Sequence, residues 1–229
     1  MTKSTLPQEA FEKVLRRLTE FVVLGKAHLN IGRGLAQKMT ADPVIAHVAP
    51  VFWSMSINAH IDVAQLIAFK LFDTRVGTMT IEYLLERAAE CSNAFHKATP
   101  DQITAIIGIA RKQIAGLASP LTSVRAKRNR FLAHLDPTIV RDPERLAKEC
   151  QVTFSDLNLI FETAGSILNE VSVGYNETST LFELIDEKDY EWAVQLIVDA
   201  KHQQVDDYEK EFKAAQTFLR PQSPRSRTP

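Results

Sequence analysis

Apolar residues return along most of this chain at intervals of three and four, the spacing that stacks side chains on one face of a helix. Phe11, Val14, Leu15, Leu18, Phe21 and Val22 set the pattern in a first helix, predicted from Pro7 to about Lys38. Gly25, Gly32 and Gly34 loosen its second half. The stretch from about Pro50 to Phe72 is apolar nearly all round, with Asp62 and Lys70 its only charges, which predicts a helix central in a bundle or buried between subunits. Arg75–Met79 reads as a loop. Thr80 then caps a helix predicted to about Lys97, with Ile81, Leu84, Leu85 and Ala88 inward and His96 a favourable cation at its end. Thr99-Pro100 opens the next helix, whose stripe is Ile103, Ile106, Ile107, Ala110, Ile114 and Leu117.

Ser119-Pro120 and Asp136-Pro137 bracket one more helix, roughly Pro120 to Leu135. A turn-rich link follows, with a second Asp-Pro at 142–143 and one helical turn toward Cys150. Thr153-x-x-Asp156 resembles a capping box and opens a helix through Leu157, Ile160, Phe161, Ala164, Ile167, Leu168 and Val171 to near Gly174. Asn176–Thr180 links to a last long helix, about Lys188 to Leu219, apolar early at Trp192, Leu196 and Ile197 and mostly charged later. Such a stripe predicts an arm that packs only in part. The end, Pro221 to Pro229, is a basic tail of disordered composition.

No segment carries a strand pattern, so the fold class is all-α, a bundle of about seven helices. The expected division is a bundle over 1–175, a C-terminal helical extension packed on it over 176–219, and a tail over 220–229. Cys91 and Cys150 are isolated, the usage of free thiols in a reducing cytoplasm. The first residues lack a signal-peptide pattern, because Glu9, Glu12, Lys13, Arg16 and Arg17 come too early. Pro43 to Ile61 has no formal charge but is broken by two prolines, Asn58 and two histidines, which reads as buried protein rather than a membrane span. Gly32-Arg-Gly34 lacks the rest of a phosphate loop, and no HExxH or GxSxG is present. Six histidines with no two at i, i+3 or i+4 give no metal pair, so neither metal nor cofactor is expected. Trp53, His60 and Phe69 read as core.

Charge changes the picture in one place. Arg125, Lys127, Arg128 and Arg130 fall within six positions, and His134 follows. No acid lies between Asp101 and Asp136, in a chain whose formal net charge is -1, and Arg111 and Lys112 can join the same basic face. On a straight helix Val124, Phe131 and Leu135 form one stripe with Arg128 in its middle. A guanidinium there is costly unless paired or wet. Ser123, Lys127, Arg130 and His134 form a second stripe. An imidazole can move protons near neutral pH, and guanidinium and ammonium groups hold phosphate. The plainer alternative is a solvated basic face that ends in a histidine.

Arg128-Asn129, four further residues and His134 resemble the Arg-polar-x(3–5)-His signature of the HEPN superfamily. The form Arg-Asn-Arg-Phe-Leu-Ala-His-Leu-Asp136 resembles its AbiU-like abortive-infection branch. Leu71-Phe72-Asp73-Thr74 and Thr80–Leu85 strengthen the likeness, which covers about residues 50 to 175. The resemblance implies an up-and-down helical bundle and a metal-independent endoribonuclease in toxin or phage-defence service, with two motif helices meeting across a homodimer. It assigns Arg128, Asn129 and His134 to catalysis. Lys127, Arg130, Arg125, Arg111 and Lys112 are the candidates for RNA phosphates. RNA, a second copy of the chain and a cognate antitoxin are the partners such a role calls for. The rival is a non-catalytic helical module that binds nucleotide, nucleic acid or protein, with His134 structural. Straight-helix geometry sets Arg128 and His134 about 120° apart and ~9 Å along the axis, so Arg128 would act across the dimer or share its role with Arg130.

Overall fold

The computed structural model describes residues 7–42, 47–75, 77–132, 151–183 and 189–219. Among them are seven α-helices and no strand: α1 (Pro7–Ala41), α2 (Pro50–Leu71), α3 (Ile81–Glu90), α4 (Pro100–Gly116), α5 (Ala118–Lys127), α6 (Phe154–Asn176) and α7 (Asp189–Leu219). A 3-10 turn, Ser92–Ala94, follows α3, and a π-helical turn, Arg128–Leu132, follows α5. The all-α expectation holds. The Asp136-Pro137 and Asp142-Pro143 turns, Cys150 and the 220–229 tail lie outside the described residues.

Three threonines start three of these helices. Thr80, Thr99 and Thr153 stand in extended backbone, and their hydroxyls accept from the amides of Tyr83, Gln102 and Asp156. At Thr99 and Thr153 the third residue returns the bond, so both are closed capping boxes. The aspartate at 156 reaches back as well as the usual glutamate would.

The central post is α6. It touches each of the five helices before it, and Ile160, Phe161, Ala164 and Ile167 are wholly buried. Phe161 fits because Gly25 of α1 has no side chain: a Cβ there would lie 2.2 Å from the ring, well inside contact distance. Of the two expectations for α2, central in a bundle or buried between subunits, the bundle meets the first only over the helix's second half. That half is buried through Ala64, Gln65, Ile67, Ala68 and Leu71, but Val51, Phe52 and Met55 are 70%, 57% and 67% exposed.

Two boundaries also differ. α3 ends at Glu90, not Lys97, because the chain turns at Cys91 to bury Phe95 against Phe11 and Tyr175. His96 therefore does not stand at that helix end. Its backbone N–H instead donates to the Tyr175 carbonyl at the end of α6. In α7 the buried face is Val194 and Val198, packed on Leu35 and Trp53 with Tyr190 beside them. Trp192 and Leu196, read from the sequence as the apolar early face, are 81% and 66% exposed. Positions 192 and 194 differ by about 200° around a helix, so only one can face the bundle, and the two β-branched valines take it. From His202 to Ala215 every side chain is exposed, as a fading stripe demands. Among the described residues no helix is long and apolar enough to cross a membrane.

Candidate functional site

α5 starts two residues earlier than its proline suggested, and without a side-chain cap. Leu117 is the N-cap, and Ser119 lies inside the helix. Pro120, Leu121 and Val124 anchor it in the core. Regular α-helix stops at Lys127, and Arg128 begins the π turn. Such a turn adds a residue to the helical repeat and is found disproportionately at functional sites. The straight-helix register of Ser123 and Lys127 is therefore not carried unchanged to Arg130. His134 itself lies outside the described residues.

The cations of the motif region divide by what they touch. The Arg125 guanidinium donates through Nη2 to the Phe72 carbonyl at 3.0 Å, closing the C-terminal end of α2. Lys127 lies 3.8 Å from Asp62, and both side chains are largely shielded, 21% and 34% exposed. Burial pushes the Asp62 carboxyl up, and the Lys127 charge pulls the other way. Arg111 donates through Nε and Nη2 to Glu82 of α3 at 2.9 and 2.6 Å. Lys112 is exposed, and Arg130 is half-buried. The structure thus sets acids from α2 and α3 against a stretch that has none of its own.

Arg128 is handled differently. Its guanidinium lies 4.8 Å over the ring of Phe69 and donates through Nη1 to Asn129 Oδ1 at 2.8 Å. The apparent misplacement on an apolar stripe is resolved within the chain, since an aromatic face stabilises a cation that water reaches only in part. Asn129, which the resemblance assigns to catalysis, here accepts the Arg128 hydrogen bond. The same ring carries a second guanidinium, Arg75, at 5.9 Å. Arg75 is tied to Asp73 by Nε and Nη2, each at 2.7 Å, and by its backbone amide at 3.1 Å. Burial opposes charge on Asp73, yet the Arg75 bonds and charge outweigh it and hold the carboxyl below the usual carboxylate range.

From the sequence, Phe69 reads as core, Asp62 as one of two charges in α2 and Asp73 as part of the family likeness, with no site role for these or for Gln65. On α2, Asp62, Gln65 and Phe69 share one face at i, i+3 and i+7. Gln65 is 1% exposed, and neither its Nε2 nor its Oε1 has a partner among the described residues. The available signal was the charge and the amide inside an otherwise apolar helix, since buried polar groups are normally answered from another element. Beside this face, Phe72–Arg75, Gly77, Thr78 and Thr80, with α3, Ile114 of α4 and Leu121 and Arg125 of α5, enclose a groove of about 380 Å³.

A second polar pair was invisible to spacing rules. His28 of α1 and His60 of α2 meet Nδ1 to Nδ1 at 2.9 Å. Burial pushes both below the usual histidine value, and the nearby His60 pushes His28 further. His60 is thus a partnered, partly buried histidine. Among the described residues no group of three or more His, Cys, Asp or Glu could hold a metal ion.

A family model described as AbiU2, of HEPN type, matches residues 14–196. The chain belongs to that family. The match takes in all of the α5 motif and reaches Leu196, just past the first valine by which α7 docks on the bundle. No curated protein and no solved structure matches the chain. Membership makes this an abortive-infection, HEPN-type all-α protein.

Proposed function

We propose that this AbiU2-family chain is a metal-independent endoribonuclease, working as a homodimer in phage defence or as a toxin. The observation that carries the reading is Arg128, held by Phe69 and Asn129 at the start of a π turn within the Arg-Asn-x4-His motif. A guanidinium fixed on a ring and an amide loses little freedom when it meets a phosphate, which is the preorganisation that transition-state charge requires.

The reaction forms a bond from the ribose 2′-oxygen to phosphorus and breaks the bond from phosphorus to the 5′-oxygen. A base takes the 2′-hydroxyl proton, an acid protonates the leaving oxygen, and a 2′,3′-cyclic phosphate remains. His134 of each protomer takes one of these roles, and Arg128 stabilises the phosphorane. The exposed Val51, Phe52 and Met55 give α2 an uncovered apolar end for a second copy. Arg128, satisfied in its own chain, no longer argues for one.

The test is cleavage by the purified protein in EDTA. Cyclic-phosphate ends should form, and His134→Ala should lose about 10²–10⁴-fold in rate. Equal cutting by His134→Ala, or no cutting by the wild type, sinks the proposal. One observation favours the rival binding module: Arg125, Lys127 and Arg111 are engaged within the chain, leaving fewer cations for phosphate. Folded wild-type protein that neither cuts nor retains RNA would select that module, as a binder of protein.

A further inference from the structure

The groove beside α5 is walled by charged groups, and nearly all of them are engaged. Asp73 holds Arg75, Glu82 holds Arg111, and Arg125 holds the Phe72 carbonyl. The exception is Glu86. It lines the groove, is exposed, and has no hydrogen bond or ion pair among the described residues. It stands one turn beyond Tyr83, which also lines the groove and carries the Arg87 guanidinium 5.1 Å from its ring centre.

An ionised carboxylate only accepts hydrogen bonds and repels phosphate. The occupant of this groove must therefore offer N–H donors rather than an anion. The Watson–Crick edge of guanine presents two adjacent donors, N1–H and N2–H, which match the two oxygens of one carboxylate. Uracil presents one N–H between two carbonyls, and both carbonyls oppose a carboxylate. Single-stranded RNA is read in this way, on the edges of splayed bases set against aromatic side chains. The volume of about 380 Å³ falls within the range of small-ligand sites.

The groove also adjoins the motif. Arg75, on its wall, and Arg128 lie over the same Phe69 ring, 5.9 and 4.8 Å from its centre. A base in the groove would belong to a nucleotide next to the phosphate at Arg128. We propose that this groove is a base-reading subsite that takes guanine on the Glu86 carboxylate and sets where the chain cuts RNA. The proposal rests on the ribonuclease reading, which supplies the RNA.

Binding can be read without turnover. His134→Ala protein is titrated with short single-stranded RNAs identical but for one guanine or uracil, and fluorescence anisotropy is followed. The guanine RNA should bind about tenfold tighter, the size of one good bidentate base contact. Adding Glu86→Gln should bring the ratio near one without weakening the uracil RNA, since an exposed charge that repels phosphate has been removed. Equal binding of the two RNAs, or a preference that survives Glu86→Gln, overturns the subsite. Displacement of the RNA by micromolar guanosine monophosphate assigns the groove to a free nucleotide and overturns it too. Failure of the ribonuclease reading shows elsewhere, as wild-type protein that cuts nothing.

Discussion

α5 and α6 lie side by side in the bundle and follow opposite rules. α6 is opened by a closed capping box, runs as regular α-helix for 23 residues and buries eleven of them. α5 has no side-chain cap, runs for 10 residues, buries three and passes into a π turn. α6 meets its neighbours mainly with hydrocarbon, whereas α5 and the π turn after it add cations to a short apolar anchor: Arg125 on a carbonyl, Lys127 on a carboxylate, Arg128 on a ring. Where local rules agree, the element holds the fold. Where they are broken one after another, the neighbours have been arranged to hold charged groups in place.

Substitutions should separate the two. Phe161→Ala, deep in α6, should cost about 3–5 kcal/mol in chemical denaturation, as for a wholly buried aromatic. RNA cleavage per folded molecule should stay unchanged. A cost under about 1 kcal/mol would mean that α6 is not the central post.

Phe69→Leu should do the reverse. The side chain is only partly buried and the swap nearly keeps its volume, so stability should fall by less than about 1.5 kcal/mol. Cleavage should drop about tenfold as Arg128 loses its ring. Unchanged cleavage would break the link between Phe69 and the motif.

The smallest effect concerns neither helix. His28 and His60 both have folded values below the unfolded one, so they contribute stability fully above about pH 6.5. That contribution is lost as pH falls through the folded values, where the unfolded chain binds more protons. The melting temperature should therefore decline between pH 7.5 and 5.5, and His60→Gln should flatten the decline. A slope untouched by the substitution would assign the pH response to other groups.

What was legible in the sequence follows the same division. Thr80, Thr99 and Thr153 were readable as caps because a cap and its partner lie within three residues. The stripes of α4 and α6 were readable because one helix carries the whole pattern. The end of α3 was not, since Phe95 is drawn off the helix by Phe11 and Tyr175, more than 70 residues away on either side. The face of α7 was misread because tryptophan and leucine outweighed two valines that the ends of α1 and α2 accept. The motif was visible as residues but not as a site. Asp62, Phe69 and Phe72, which receive Lys127, Arg128 and Arg125, sit on another helix and its end.

Gly34 of α1 faces Tyr190 of α7 so closely that a Cβ would fall inside the phenol. That vacancy works as an index mark. If α7 slid by one helical turn, about 5.4 Å, the phenol would meet Asn30 or Lys38 instead of a hydrogen atom. Valine against leucine and tryptophan can slip, but a ring against a missing side chain cannot. The length of arm that α7 carries past the bundle is thus metered at its root by one absent methyl group.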